Sequence, residues 1–221
     1  DNNPDLKKHA EITRKSASEG MVLLKNEEML PLKNVKTIAL IGATSFDFIS
    51  GGTGSGDVEE AYTVSLEEAL KNSDFEINQV SLNIFNSHFQ SNKSDFKKYE
   101  GAIGTLMGML NPYTPPEINY SVESIKKIAN SSDIAIITIG RNSGEGSDRV
   151  EIDDFLLSEK EINMIKTTSE EFRSLGKKIV VVLNIGGTIE TDSWKKYADS
   201  ILLAWQGGQE GGNSVIDILT G

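Results

Sequence analysis

Short runs of apolar residues recur along the chain at intervals typical of buried strands. The most apolar run is residues 133–140, whose β-branched content and length predict a strand buried on both faces. Three similar runs, at residues 37–42, 178–184 and 200–205, predict strands of the same kind. Residues 75–82 predict a further, weaker strand.

Helical patterns separate these strands. Residues 5–25 place apolar side chains at helical spacing between Lys, Glu and Arg, which predicts an amphipathic helix. Two capping boxes, Ser65-Leu66-Glu67-Glu68 and Ser158-Glu159-Lys160-Glu161, predict helices that end near residues 71 and 175. Other helices are predicted at residues 122–128, 192–197 and 214–219.

The alternation of strands and helices predicts an α/β fold. We expect a mostly parallel sheet with helices on both faces, which is a three-layer α/β/α sandwich. One domain spanning residues 1–221 is the economical interpretation, since this length is within the range of a single domain. Residues 83–117 show no clean period and predict an insertion with one or two short helices.

Several polar, glycine-containing loops follow the predicted strands. In open α/β sheets ligands usually bind beyond the carboxyl ends of the strands, so we expect these loops to form one candidate site. They offer carboxylates, guanidinium groups, amides and an indole, a mixture that suits carbohydrates without being unique to them. These side chains are Asp57, Glu145, Asp148 and Glu210, Arg141 and Arg149, Asn184, Gln206 and Gln209, and Trp205.

Glu145 is the candidate for chemistry among these residues. Gly144 and Gly146 flank it, so the backbone can turn sharply and no neighbouring side chain shields the carboxylate. A Gly-flanked Glu in a polar loop is more often a solvated turn residue, and the pattern alone favours that interpretation. Its place directly after a buried strand makes a catalytic role for Glu145 less improbable, but the solvated interpretation is still favoured by the pattern.

The glycine cluster at residues 51–57 resembles a phosphate-binding loop only superficially. A dinucleotide fingerprint needs its glycines immediately after the strand, whereas this cluster begins nine residues past Gly42. A ligand-facing loop, an interdomain loop and a purely structural loop all stay open.

Composition excludes several classes of function. The chain has 22 Lys and Arg against 33 Asp and Glu, and its net charge of -11 opposes binding to nucleic acids or anionic membranes. It has no cysteine and only two histidines, so we predict no metal site, and we predict no cofactor. The chain has no GxSxG motif, so the sequence gives little support to catalysis by a serine nucleophile.

The chain shows no targeting or membrane segment. No apolar run approaches the roughly 20 residues of a membrane helix, and the start, Asp1-Asn2-Asn3-Pro4, is not a signal peptide. We therefore expect a processed or trimmed product. These features favour a cytoplasmic protein, although the composition leaves the compartment undecided.

Four blocks of sequence resemble glycoside hydrolase family 3, specifically its α/β-sandwich domain. They span most of the chain from about residue 10 and occur in the family's order. The blocks are Ala17-Ser18-Glu19-Gly20-Met21-Val22-Leu23-Leu24-Lys25-Asn26 with Leu30-Pro31-Leu32, Gly51-Gly52-Thr53-Gly54-Ser55, Asn142-Ser143-Gly144-Glu145-Gly146-Ser147-Asp148-Arg149, and Ala204-Trp205-Gln206-Gly207-Gly208-Gln209-Glu210-Gly211-Gly212.

This resemblance implies one domain of a retaining, β-glucosidase-like hydrolase that acts by double displacement. In the family a (β/α)8 barrel supplies an aspartate nucleophile and the sandwich domain supplies the general acid/base, which falls on Glu145. We expect substrate contacts from Arg141, Ser143, Trp205, Gly52 and Thr53. Asp148 and Arg149 are expected to form an ion pair that shapes the loop.

Nothing in the chain resembles the barrel, so its nucleophile falls on no residue here. We therefore expect an excised domain whose partner is the barrel domain of the same parent protein and whose substrate is an oligosaccharide or β-glycoside. Glucose, xylose and N-acetylglucosamine stay open as the sugar. The alternative is a non-catalytic α/β module that binds carbohydrate or docks against another domain, which would not need a protonatable carboxyl group at residue 145.

Overall fold

The chain forms a six-stranded sheet in a computed structural model that describes residues 4–53, 58, 60–96, 113–142 and 148–221. The strands are β1 (Val22–Asn26), β2 (Thr37–Ile41), β3 (Glu76–Ile77), β4 (Ile134–Arg141), β5 (Ile179–Ile185) and β6 (Ser200–Leu203). Their order across the sheet is β1-β6-β5-β4-β2-β3, and every pair is parallel except the antiparallel pair β1 and β6. The predicted, mostly parallel sheet is confirmed.

Helices cover both faces of this sheet. Those of the described residues are α1 (Leu6–Gly20), α2 (Leu66–Lys71), α3 (Gln79–Ser91), α4 (Val122–Asn130), α5 (Glu159–Ser174) and α6 (Gly211–Thr220). Helices α4 and α5 contribute to one core cluster, and α2 and α6 to the other. Alternate side chains of β5 enter the two cores, with Val181 and Leu183 on one face and Val180 and Val182 on the other. The predicted three-layer sandwich is therefore confirmed.

Both predicted capping boxes begin helices. The Ser65 hydroxyl oxygen accepts from the Glu68 amide at 3.1 Å, and the Ser65 amide donates to the Glu68 carboxylate at 2.9 Å. Ser158 and Glu161 make the same reciprocal pair at the start of α5. Each box satisfies donors that a helix start otherwise leaves unpaired, so the local sequence alone determines these two boundaries.

Three elements differ from the sequence-based expectation. The predicted helix at residues 5–25 ends at Gly20, and β1 follows it, because Val22–Asn26 pairs with β6 nearly 180 residues later in the chain. The predicted strand at residues 75–82 is only β3, after which the Asn78 side chain accepts from the Ser81 amide at 2.9 Å and caps α3. The helix predicted at residues 192–197 is a single 3-10 turn, Lys195–Tyr197.

Part of the predicted insertion at residues 83–117 cannot be compared with the structure. Its first part belongs to α3, and residues 97–112 lie outside the described part of the chain. Within the described ranges, no helix has the length and apolar character needed to cross a membrane.

Candidate active site

Strands β2, β4, β5 and β6 run in the same direction, so their carboxyl ends share one edge of the sheet. The last residues of β4 and β5 lie side by side, with Gly140 opposite Asn184 and Arg141 opposite Ile185. The loops that follow these strands are therefore neighbours, as the sequence predicts.

Asn184 connects three of these strand ends. Its side-chain amide donates to the carbonyl oxygens of Ile49, at 2.9 Å, and Trp205, at 2.8 Å, while its side-chain oxygen accepts from the Ile49 amide at 2.7 Å. Asn184 is fully buried. It ties the loops after β2 and β6 to β5, so its sequence-based placement among the ligand-facing amides is wrong.

Trp205 stands at the end of β6 with 37% of its surface exposed. Its φ of +54° lies in the left-handed region, which is strained for a bulky residue and recurs at functional sites. The next residue, Gln206, donates to the Asn142 side-chain oxygen at 3.2 Å, which links this loop to the one after β4. The indole therefore lies partly exposed at the candidate site, and its predicted contact with substrate stays a prediction.

Gly52 and Thr53 lie at the same edge and are partly exposed. The segment before them is fixed, because the Ser50 carbonyl oxygen accepts from the Gly208 amide at 2.9 Å and the Ser50 hydroxyl donates to Glu60 at 2.5 Å. Residues 54–57 and 59, which include Asp57, lie outside the described residues.

Glu210 is a structural carboxylate. It is 7% exposed and accepts from the Tyr62 hydroxyl and from the Asn213 side-chain amide, the latter at 2.7 Å. Hydrogen bonding to Glu210 raises the pKa of Tyr62. The sequence-based placement of Glu210 among the ligand-facing carboxylates is therefore not supported by its geometry.

Arg141, the last residue of β4, forms a buried ion pair. Its Nη1 and Nη2 atoms donate to the two carboxylate oxygens of Glu161 at 2.6 and 2.8 Å. Burial alone would lower the pKa of Arg141 and raise that of Glu161, but their hydrogen bonds and charges outweigh burial and shift both values the opposite way. With Arg141 only 7% exposed, this geometry gives no support to the substrate contact predicted for it.

Arg149 pairs with Asp154 rather than with Asp148. Its Nη1 atom donates to Asp154 Oδ1 at 2.6 Å, whereas Asp148 is exposed. The predicted ion pair of Asp148 and Arg149 is wrong, because the tight turn at Glu151–Phe155 brings the carboxylate of Asp154 back towards the loop. No sequence spacing typical of a helix or strand marks this pair.

Two predicted site residues, Glu145 and Ser143, lie outside the described residues. The residues that flank them are described. Asn142 donates to the Tyr113 carbonyl oxygen at 3.1 Å on one side, and Arg149 is fixed by Asp154 on the other. The predicted roles of Glu145 and Ser143 stay predictions.

Sequence reasoning missed Glu117, a titratable group near the carboxyl end of β2. Its Oε1 atom accepts from the amides of Ala43 at 3.0 Å and Ile118 at 2.8 Å. Burial of the carboxyl group raises the pKa of Glu117 to about 7, although these two bonds favour the charged form. Glu117 follows the irregular part of the chain, so no periodic pattern points to it.

No group of three His, Asp or Glu side chains within the described ranges is arranged to hold a metal ion. The polar groups at this edge are instead paired acids, amides and an exposed indole. Asn184 and Glu210 are hydrogen-bonded within the protein and fix the loops, whereas the indole of Trp205 is exposed.

A family model for the glycosyl hydrolase family 3 C-terminal domain matches residues 21–221. Among curated relatives, β-glucosidase A of Butyrivibrio fibrisolvens is 34% identical over 97% of this chain and 27% of its own length. The β-glucosidase of Ruminococcus albus is 28% identical over 99% of this chain and 22% of its own. The chain thus spans about a quarter of these relatives.

Solved structures agree with the sequence comparison. β-Glucosidase 3B of Thermotoga neapolitana in complex with glucose is 39% identical, with a TM-score of 0.86 over 99% of this chain and 30% of its own. A β-glucosidase from Paenibacillus barengoltzii is 27% identical, with a TM-score of 0.82 over 96% of this chain and 23% of its own. On this evidence the chain belongs to glycosyl hydrolase family 3, as the family's C-terminal domain.

Proposed function

We propose that this domain supplies the general acid/base, Glu145, to a retaining β-glycosidase whose aspartate nucleophile lies on a (β/α)8 barrel outside this chain. The observation that carries the proposal is the position of the Ser-Gly-Glu-Gly segment. In the sequence it follows Asn142 and precedes Asp148, and β4, the strand before it, ends at Arg141. The chain matches the family over residues 21–221.

The chemistry requires two carboxyl groups with opposite protonation states. In a retaining glycosidase they lie about 5 to 5.5 Å apart, one ionised to attack the anomeric carbon and the other protonated to release the leaving group. Glu145 takes the second role and then, as a carboxylate, removes a proton from the water that hydrolyses the glycosyl-enzyme. Burial by an adjoining domain would raise the pKa of Glu145, which the first step needs.

Two features support a partner domain at this edge. The first is length, because the chain spans 27% of one curated relative and 22% of another. The second is the exposure of apolar side chains near the candidate site, at 67% for Val150, 72% for Ile152 and 37% for Trp205. A domain that covers this edge would bury them and gain the corresponding hydrophobic stabilisation.

The substrate proposed is a terminal β-linked glucoside of an oligosaccharide or other glycoside. The names of the relatives support glucose, and one of the similar structures was solved with glucose bound. Trp205 would stack on a sugar ring, with Gly52, Thr53 and Ser143 near its hydroxyl groups. Arg141 would act on the loop rather than on the sugar, because its side chain is paired with Glu161.

The test compares this chain with the full-length parent on nitrophenyl β-glucoside, β-xyloside and N-acetyl-β-glucosaminide. We expect activity from the parent, preferably on the glucoside, and none from the chain alone. Glu145→Gln in the parent should lower kcat/KM strongly on alkyl glucosides and much less on activated aryl glucosides, since forming the glycosyl-enzyme from the aryl substrates needs less acid assistance. Its kcat on the aryl glucosides should still fall, because the second step has lost its base. Full activity of this variant on both substrate types would leave a sugar-binding or docking module as the explanation.

A further inference from the structure

We propose that Asp154 is a positioning residue for the acid/base, holding both ends of the segment that carries Glu145. This inference rests on the proposed function of Glu145. It draws its own support from contacts made by Asp154 to residues on both sides of that segment, all within the described part of the chain.

Asp154 makes three separate hydrogen bonds to these flanking residues. Its Oδ1 atom accepts from Arg149 Nη1 at 2.6 Å, and its Oδ2 atom accepts from the Val150 amide at 3.1 Å. Its backbone carbonyl oxygen accepts from Arg141 Nε at 3.0 Å. One residue therefore binds the chain where it leaves β4 and again where it returns, eight positions later.

The turn that presents Asp154 is itself well defined. The amides of Phe155 and Leu156 donate to the carbonyl oxygens of Val150 and Glu151, each at 2.9 Å. Asp153 adopts a left-handed φ of +62°, which reverses the chain. The turn thus directs the carboxylate of Asp154 at Arg149 and Val150 and its backbone carbonyl oxygen at Arg141.

Both arginines that Asp154 binds also lie against other parts of the scaffold. Arg141 is bound through both terminal nitrogens to Glu161 on α5. The guanidinium group of Arg149 lies against Gly187, where an added Cβ atom would come within 3.2 Å of Nη2 and 3.3 Å of Nε. The two supports come from α5 and from the loop after β5, so Asp154 ties the segment to two elements of the scaffold.

Fixing the ends of a short segment reduces the conformations open to the residues between them. A general acid works only within hydrogen-bond reach of the leaving oxygen, and a misplacement of about 1 Å can cost on the order of 100-fold in rate. Loss of the Asp154 side chain should therefore lower catalysis by weakening the placement of Glu145, without changing the chemistry of any group that contacts the sugar.

The test is a double-mutant cycle in the full-length protein. Asp154→Ala should lower kcat/KM for a methyl β-glucoside by roughly 10- to 100-fold, and much less for a dinitrophenyl β-glucoside. In a Glu145→Ala background the same substitution should change kcat by less than about threefold, because the group that Asp154 positions is gone.

Asp217→Ala is the matched control. It also removes an arginine ion pair, with Arg14, but that pair joins α1 to α6. It should leave the dependence on leaving group unchanged. If Asp154→Ala does not fold, Asp154→Asn removes the charge but keeps a side-chain oxygen that can accept from Arg149 or Val150, and it should show the same pattern with a smaller loss.

The outcomes separate the two proposals. Equal losses from the Asp154 substitution in both backgrounds, or no loss in either, would overturn the positioning role while leaving Glu145 as acid/base. If Glu145→Ala itself shows no dependence on the leaving group, the proposed function fails, whatever the Asp154 variants do.

Discussion

Arg141 and Glu161 form a two-pronged ion pair that joins the end of β4 to the first turn of α5, with N–O distances of 2.6 and 2.8 Å. The Glu161 carboxylate also accepts from the Ser158 amide at 2.9 Å, so it caps the helix and neutralises the arginine at once. Both side chains are largely buried, at 9% and 7% exposure.

We expect Glu161→Gln to reduce the free energy of unfolding by about 3 to 5 kcal/mol, because it leaves the buried charge of Arg141 with only the more distant carboxylate of Asp154, 3.7 Å from Nε. Urea unfolding of this 221-residue chain measures the effect. Glu170→Gln, which removes an exposed pair with Lys166, is the control and should be indistinguishable from the parent. A loss below about 1 kcal/mol for Glu161→Gln would contradict the structural role given to the pair.

Glu117 should make stability depend on pH with the opposite sign to an ordinary paired carboxylate. Its pKa of about 7 in the folded chain lies above the usual value, so the folded state keeps a proton that the unfolded state has lost. Stability should fall by roughly 1 to 3 kcal/mol as pH rises from about 4.5 to 7, and then level off.

Unfolding of Glu117→Gln across the same pH range is the comparison. The glutamine keeps a side-chain oxygen for the amides of Ala43 and Ile118 but cannot ionise. Lys160, Glu161 and Tyr120 are nearby charged or titratable groups and remain in both proteins. The difference in unfolding free energy between the two should therefore change with pH, and a constant difference would show that Glu117 titrates normally.

Asn184→Asp tests the link between the three strand ends. The substitution replaces a donor with a charged acceptor facing the carbonyl oxygens of Ile49 and Trp205, in a fully buried position. We expect a loss of about 3 kcal/mol or more in unfolding free energy. Asn86→Asp, on the exposed face of α3, should change it by less than about 0.5 kcal/mol. Equal effects would show that the Asn184 hydrogen bonds contribute little.

Gly212 lies in the first turn of α6, where the backbone of Ser65 comes close. An added Cβ atom would overlap the Ser65 carbonyl group, which belongs to rigid backbone, so Gly212→Ala should cost about 2 to 3 kcal/mol. Gly20→Ala provides the control, since no atom lies within 4 Å of the added Cβ and alanine favours the end of α1. Thermal unfolding should separate the two variants, and a neutral Gly212→Ala would contradict the close packing.

The strands and capped helices could be predicted because their signals are local. The apolar run that became β4 and the Ser65 and Ser158 capping boxes each carry their own pattern. Strand β1 could not, because Val22–Asn26 continues an apolar pattern that suits a helix and its strand partner, β6, is far away in sequence. Whether such a segment forms a strand depends on its packing against neighbouring strands, which the local sequence does not show.

In the candidate site, too, local features could be predicted and long-range contacts could not. Sequence order was enough to predict that polar loops gather at one edge and that Trp205 lies there. It could not show that Arg141 forms an ion pair with Glu161, 20 residues later. Nor could it show that Arg149 pairs with Asp154 and not with the adjacent Asp148. Those choices depend on how α5 and the turn at Glu151–Phe155 pack, which no spacing encodes.

The most direct test of the central proposal is azide rescue of Glu145→Ala in the full-length parent. Without the acid/base, the glycosyl-enzyme formed from an activated aryl glucoside should persist, because no group removes a proton from the attacking water. Azide needs no such help, so turnover should rise with its concentration and yield a β-glucosyl azide. Absence of rescue, or a product of inverted configuration, would contradict the assignment of Glu145.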